Sequence, residues 1–131
     1  MKDQVRELAE YRISQAEETL EVAKELQAGG HYRDAVNRAY YAMFYCGLGL
    51  LATRELGSSK HSGVLSLFSL HFVRTGIFSK ESGRYLREAF ELRQQCDYRE
   101  FVEIEPEQVN EVLEHAEKFI LESRELLARL N

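Results

Sequence analysis

A run of fifteen residues without a charge, from Ala39 to Thr53, limits what this chain can fold into. Its first fourteen residues read AYYAMFYCGLGLLA and are apolar on every side of a helix. In a water-soluble protein such a helix is buried on most sides. The run is too short to cross a bilayer, which takes about 20 apolar residues. We therefore expect a central helix inside a bundle and no membrane contact.

The rest of the chain repeats apolar residues every three to five positions, the spacing of one helical face. This pattern predicts five helices, over about residues 2–28, 32–54, 62–74 and 80–97 and from 106 onward. Gly29–Gly30 and Thr75–Gly76 fall at predicted helix ends, and Pro106 suits a first helical position. No segment resembles a strand. The sequence predicts an all-α, antiparallel up-and-down helical bundle of about five helices, in one domain over residues 1–131.

Two lone cysteines, Cys46 and Cys96, lie within predicted helices and lack a CxxC neighbour. They are typical of buried free thiols in a reducing compartment. The N-terminal segment is charged throughout, unlike a signal peptide. We expect a cytoplasmic protein.

Charge is spread unevenly along the chain, although the total is only −5. Residues 60–99 hold seven basic and four acidic groups, whereas residues 100–131 hold three basic and nine acidic groups. The protein as a whole does not attract polyanions. The basic quarter either offers a local phosphate site or consists of solvated helix faces, and its charge alone favours the second interpretation.

The sequence lacks several familiar sites. It has no glycine-rich phosphate loop, and its four histidines are too scattered for a zinc signature. Glu111 and His115 lie four apart on the last helix and are interpreted as a surface pair. We expect no metal and no cofactor.

Three segments carry residues suited to binding or proton transfer. In NRAYYAMFY, Arg38 lies at the polar start of the apolar helix, with Tyr41 further along it, and both are candidate binding residues. The alternative is an ordinary core helix whose tyrosine hydroxyls reach the edge of the core. In KHSGV, Ser62 is suited to cap the start of a helix, and Lys60 and His61 just before it are suited to hold an anion beside the exposed N–H groups of that helix. The alternative is that Ser62 is a plain helix cap with exposed basic neighbours that bind nothing.

The third segment, ELRQQCDY, ends the fourth predicted helix with a cation, an acid and a phenol. Arg93 and Asp97 are spaced for an intrahelical ion pair. The functional alternative is a polar cluster that binds a phosphate or a base, with Tyr98 beside it.

The order RAYYAMF, then KHSGVLSLF and HFV, then FELRQQCDY resembles the HEPN domain family, over nearly the whole chain. The resemblance is greatest to the stand-alone prokaryotic branch. It implies a helical bundle that dimerises and is often paired with a minimal nucleotidyltransferase in a toxin–antitoxin system. Active members are metal-independent ribonucleases whose signature is an arginine followed, after four to six residues, by a histidine.

The chain departs from that signature. Arg93 matches the arginine by position, but the corresponding later positions hold Tyr98, Arg99 and Glu100. The resemblance therefore suggests that His61 contributes from a different element. Arg54 and His61 satisfy the spacing formally, and we interpret that match as coincidence.

The resemblance implies that the protein is a nucleotide- or RNA-binding component of a HEPN/nucleotidyltransferase toxin–antitoxin pair. The alternatives are an active ribonuclease toxin with a nonstandard site and a non-catalytic dimerisation or docking module. The expected partners are a minimal nucleotidyltransferase antitoxin, a nucleotide or RNA ligand and a second copy of the chain. Tyr98 is a candidate for nucleotidylation, because some family members are modified on a nearby tyrosine. Arg93 and His61 are the candidate catalytic residues, and the candidate binding residues are Arg38, Tyr41, Lys60, His61, Arg93, Asp97 and Tyr98.

Overall fold

The structure, a computed structural model, describes residues 1–98 and 103–130. Its helices are α1 (Asp3–Ala28), α2 (Tyr32–Ala52), α3 (His61–Phe68), α4 (Lys80–Tyr98) and α5 (Pro106–Arg129). A π-helical turn, Ser69–Val73, continues α3. The described residues contain no strand. The prediction of an all-α bundle of five helices is confirmed. The helix bounds lie within about two residues of those expected, except that α3 ends at Phe68 and the rest of the predicted third helix is the π-helical turn.

The uncharged helix is the centre of the bundle, since α2 packs against α1, α3, α4 and α5. None of the residues from Ala39 to Ala52 is exposed. One chain therefore supplies most of the burial of this helix. A dimer stays a prediction on the family resemblance alone.

The two glycines of α2 face different neighbours. A Cβ at Gly49 would lie 3.1 Å from the carbonyl oxygen of Ala9, so α1 and α2 touch backbone to backbone at this point. A Cβ at Gly47 would meet only the ring edge of Phe68, at 3.9 Å. The seam between α1 and α2 is therefore tighter than the seam between α2 and α3.

Local chemistry accounts for several of the helix ends. Gly30 and Gly76 adopt φ of 80°, where glycine is unstrained. At the start of α5, Glu105 and Gln108 form a reciprocal capping box. The predicted Ser62 cap was wrong: α3 begins at His61, and no side chain caps it.

Cys46 and Cys96 are buried free thiols, as predicted. Burial raises the pKa of Cys46 to about 12, which keeps the thiol protonated and unreactive at neutral pH. Among the helices of the described ranges, none combines the length and apolar character needed to cross a membrane.

Candidate functional site

Rings from the first half of α2 hold His61 at the start of α3. The His61 ring stacks on Phe44 with centroids 4.3 Å apart, and Tyr41 meets it edge-on at 5.5 Å. The hydroxyl of buried Tyr40 lies 3.3 Å from Nδ1 of His61. Either tautomer of the imidazole satisfies this contact, because a hydroxyl both donates and accepts hydrogen bonds.

Arg93 on α4 belongs to the same cluster, and only 9% of the residue is exposed. Its guanidinium carbon lies 5.0 Å from the centre of the Tyr40 ring and 5.7 Å from that of Tyr41. One guanidinium nitrogen, Nη1, donates to Oδ2 of Asp97 at 3.1 Å. The predicted intrahelical ion pair of Arg93 and Asp97 is therefore confirmed.

The Nε–H of Arg93 is buried and has no hydrogen-bond partner among the described residues. A buried donor without an acceptor costs about 1–3 kcal/mol, and more when the group is charged. The ring faces and Asp97 offset only part of that cost. A charged side chain that is buried in spite of this cost marks a candidate functional site.

Local contacts fix where α4 meets α2. Phe90, one turn before Arg93, packs its ring 5.7 Å from that of Tyr40. Arg33 at the start of α2 donates to the carbonyl oxygen of Cys96 at 2.5 Å. The end of α4 is therefore tied to the start of α2 on both sides of Arg93.

The surroundings of His61 lower its pKa, first because partial burial disfavours the charged ring and second because Arg93 is positive. The imidazole is therefore neutral at pH 7. Burial raises the pKa of Tyr40, so its phenol stays protonated and can act only as a hydrogen-bond partner. Of this pair, His61 is the group suited to accept a proton.

Tyr41 contacts two cations. The Arg38 guanidinium lies 4.8 Å from the centre of the Tyr41 ring, and Asn37 Oδ1 accepts hydrogen bonds from Arg38 Nε and Nη2 at 3.0 and 2.8 Å. Since Arg93 also approaches this ring, a half-exposed aromatic surface lies beside two positive charges. That arrangement can stack a base and bind its phosphate.

The structure brings five of the seven predicted site residues into one cluster: Arg38, Tyr41, His61, Arg93 and Asp97. It does not bring in the other two. Lys60 is exposed beside His61, and Tyr98 is 75% exposed; in the described ranges neither side chain makes a hydrogen bond, an ion pair or a ring contact with the cluster.

The spacing arguments made from the sequence have mixed outcomes. Arg99 and Glu100, which occupy the usual histidine positions, lie outside the described residues. Arg54 lies over the Phe72 ring, at 5.2 Å from its centre. The interpretation of the Arg54 and His61 spacing as coincidence stays a prediction.

Sequence reasoning missed Tyr40, Phe44 and Phe90 as members of the site. Tyr40 and Phe44 are one helical turn apart, and both lie in the motif that was singled out. Their alignment with Tyr41 on the His61 side was the available signal. It was hidden because buried aromatics in an apolar helix have the same pattern as ordinary core residues.

A second polar group joins α4 to α5. Glu88, Glu111 and His115 place candidate ligand atoms within 4.8 Å of one another. The predicted surface pair is confirmed, with Nε2 of His115 at 3.9 Å from Oε1 of Glu111. Both carboxylates are exposed, and exposed acidic groups often lie together without an ion. This group shares no residue with the cluster around Arg93.

Comparison with known proteins places the whole bundle in one family. The model of the HEPN domain matches residues 9–126, which include α2, α3, α4 and most of α5. The chain belongs to the HEPN domain family. The resemblance carried by the three sequence motifs is therefore confirmed.

Several relatives share most of this HEPN domain. A protein named "Putative toxin MJ0142" from Methanocaldococcus jannaschii is 38% identical over 91% of this chain and 81% of its own length. A second protein of that organism, "Putative toxin MJ0605", is 39% identical over 88% and 86%. A "UPF0332 protein" from Thermotoga maritima is 43% identical over 86% of each chain.

Proposed function

We propose that this HEPN protein is the nucleotide- or RNA-binding component of a toxin–antitoxin pair whose other member is a minimal nucleotidyltransferase. Two relatives with the names of toxins support the toxin part of this proposal. The family resemblance supports the nucleotidyltransferase partner and a homodimer. The site around Arg93 supports the ligand class.

One observation carries the ligand assignment: Arg93 is nearly buried against two tyrosine rings, beside neutral His61, and its Nε–H has no partner among the described residues. A phosphate supplies the acceptor oxygens that a guanidinium lacks here. Arg38 and Lys60 then add positive charge at the rim, and Asp97 orients Arg93. The Tyr41 ring provides a surface on which a base stacks.

Tyr98 has a separate place in this proposal. Its side chain is 75% exposed at the end of α4, where an enzyme can reach the hydroxyl. We propose it as the residue that the nucleotidyltransferase partner modifies. Mass spectrometry after co-expression with the nucleotidyltransferase from a neighbouring gene tests this, with Tyr98→Phe as the control. A nucleotide adduct on another residue, or none at all, contradicts the assignment.

A ribonuclease activity is the second candidate, and the contact of His61 and Arg93 with the same Tyr40 ring favours it. Neutral His61 is suited to take the proton of a ribose 2′-OH as that oxygen attacks phosphorus, while the bond from phosphorus to the 5′-oxygen breaks and the leaving 5′-oxygen takes a proton from water. Arg93 is suited to stabilise the charge that develops on the phosphate oxygens. Growth arrest on expression that is lost in His61→Ala supports this activity. Intact RNA after long incubation with the purified protein contradicts it.

The binding proposal is tested with Arg93→Ala. A hydrogen bond to a charged group contributes about 1.5–3 kcal/mol, so dissociation constants for ATP and for labelled single-stranded RNA should rise roughly ten- to a hundred-fold. Arg129→Ala is the matched control, because Arg129 lies at the exposed end of α5. Circular dichroism checks that each variant is folded. If Arg93→Ala binds both ligands as the parent does, the site assignment is wrong.

A further inference from the structure

A groove of about 890 Å³ runs between α4 and the segment formed by α3 and Ser69–Val73. Its floor is apolar, with Leu65, Phe68 and Leu86 along it. Leu70 stands at its lip and is 49% exposed. Such a surface, open to water in the single chain, is suited to a ligand with apolar faces.

The rim of this groove is basic. Arg74, Lys80, Arg84 and Arg87 line it, and Glu91 is the acidic residue among its lining. Arg84 pairs with Glu88 on the same helix. The other three cations make no ion pair within residues 1–98 and 103–130. Three positive charges are therefore available to a ligand.

The wall opposite α4 adds hydroxyl groups. Ser62, Ser66 and Ser69 line the groove at a spacing that puts them on one helical face. None of the three side chains forms a hydrogen bond with another described residue. They can donate to phosphate oxygens, as serine hydroxyls often do in nucleic-acid complexes.

One end of the groove lies next to the site around Arg93, although neither Arg93 nor His61 lines it. Phe90 lines the groove, and its ring centre lies 5.8 Å from the guanidinium carbon of Arg93. Ser62 directly follows His61, and Gln94 directly follows Arg93. Through Phe90, the end of the groove is therefore one side chain away from the guanidinium of Arg93.

The length of the groove distinguishes a polymer from a single nucleotide. Lys80 and Gln94 both line it and are fourteen residues apart on α4, which corresponds to about 21 Å of helix. A mononucleotide at Arg93 leaves Arg74 and Lys80 without a phosphate. Only a strand that continues along α4 reaches all the cations.

We propose that this groove binds a single-stranded RNA segment and directs it to the site at Arg93 and His61. The bases lie on the apolar floor, and the phosphates follow the basic rim. The inference rests on the proposed function, and within it selects RNA over a free nucleotide as the ligand.

A second copy of the chain fits this surface less well. A two-fold dimer apposes the same patch on both subunits, so the four rim cations would face their own counterparts. An acidic protein segment would pair with those cations, but it would not account for an apolar floor that ends at Phe90, beside Arg93. These two occupants are outcomes of the test.

The test measures binding of labelled oligouridylates of 2, 6, 12 and 20 nucleotides by fluorescence anisotropy at several salt concentrations. The parent should bind the longer strands more tightly. In the double variant Arg74→Ala/Arg87→Ala, affinity for the 12-mer should fall at least ten-fold, with little change for the dinucleotide. The slope of log affinity against log salt should shrink by about 1.4, since each phosphate contact on a single strand contributes about 0.7.

The matched control is Lys24→Ala/Lys118→Ala, which removes the same charge from α1 and α5 and should leave RNA affinity within two-fold. If the groove variant binds the 12-mer as this control does, the inference is overturned. It is also overturned if the groove variant keeps RNA binding but loses binding to a polyglutamate peptide, which would indicate an acidic protein segment as the occupant. A groove variant that keeps RNA binding but changes its sedimentation coefficient overturns it as well, and would indicate a second copy of the chain. Arg93→Ala separates the two proposals, because its loss of ATP binding supports the proposed function even when the groove inference fails.

Discussion

The bundle has two grooves of opposite character. The groove between α1 and α5, of about 470 Å³, is lined by Glu17, Glu18, Glu21 and Glu117 together with Lys24 and Arg124. Both of those cations are already paired: Arg124 with Glu10 and Glu17, and Lys24 with Glu21 and Glu117. In the groove beside α4, by contrast, Arg74, Lys80 and Arg87 have no such partners in the described ranges.

This difference shows how a chain of net charge −5 can still hold a site for an anion. The acidic first and last helices lie against each other on one side, and the basic residues of α4 lie on another. Exposed acids repel a polyanion from the α1/α5 groove, while the potential beside α4 attracts it. Position in the fold, and not total charge, decides where an anion binds.

Reversing the charge of the basic groove should have the largest effect, because it makes the two grooves alike. In Arg74→Glu/Arg87→Glu we expect the affinity for a 12-mer RNA to fall by about a hundred-fold or more at low salt. The same number of reversals in the other groove, Glu18→Lys/Glu117→Lys, should change it less than about three-fold. Anisotropy titrations measure both. Equal effects of the two double variants would show that only net charge matters.

The fold was predictable because its signals are local. Apolar periodicity and glycine positions fixed the helices, and the uncharged run of α2 fixed the central element. Periodicity does not resolve every single position: Leu8, an apolar residue of α1, is 45% exposed. Its neighbour Ala9 takes the buried place. A spacing of three to five residues does not separate adjacent positions at the edge of a face.

The site was predictable only in part. Residues such as His61 and Arg93 were chosen because a family resemblance relates positions far apart in the sequence. Their contact through Tyr40 depends on tertiary packing, which periodicity does not encode. Charge counts likewise showed where the basic residues are, but not that Arg124 is paired while Arg87 is not.

Packing also differs between the two sides of α2, and alanine at its two glycines tests that difference. Gly49→Ala should destabilise the protein by about 1–3 kcal/mol, since the new methyl meets the Ala9 backbone, which cannot rotate away. Gly47→Ala is the matched control. Its methyl finds room beside Phe68 and should gain up to about 1 kcal/mol of helix propensity. Urea unfolding measures both, and a stable Gly49→Ala variant would contradict the tight α1/α2 seam.

Removing a cation should lower the free energy of unfolding in the groove between α1 and α5, but not in the groove beside α4. Arg124 bonds to Glu10, Glu17 and Ser14, so Arg124→Ala should lower the free energy of unfolding by about 1 kcal/mol, less at high salt. Arg87→Ala should leave stability nearly unchanged and weaken RNA binding instead. Thermal unfolding at two salt concentrations measures the change in stability of each variant, and RNA titrations of the same samples measure the change in affinity. A loss of stability in Arg87→Ala would show that its charge is already used within the fold.

The smallest expected effect concerns the neutral imidazole where the basic groove meets the site. The pKa of His61 should lie below 6.5, and Arg93→Met should raise it only part of the way, because burial lowers that pKa more than Arg93 does. The unfolded chain binds the proton more readily than the folded one, so His61 lowers stability as pH falls from about 6.5 through its folded pKa. NMR titration of the ring protons measures the shift, with the other histidines as internal references. Recovery of the ordinary histidine pKa in Arg93→Met would mean that charge alone lowers the pKa of His61, and that the rings of Tyr40 and Phe44 do not shield His61 from water.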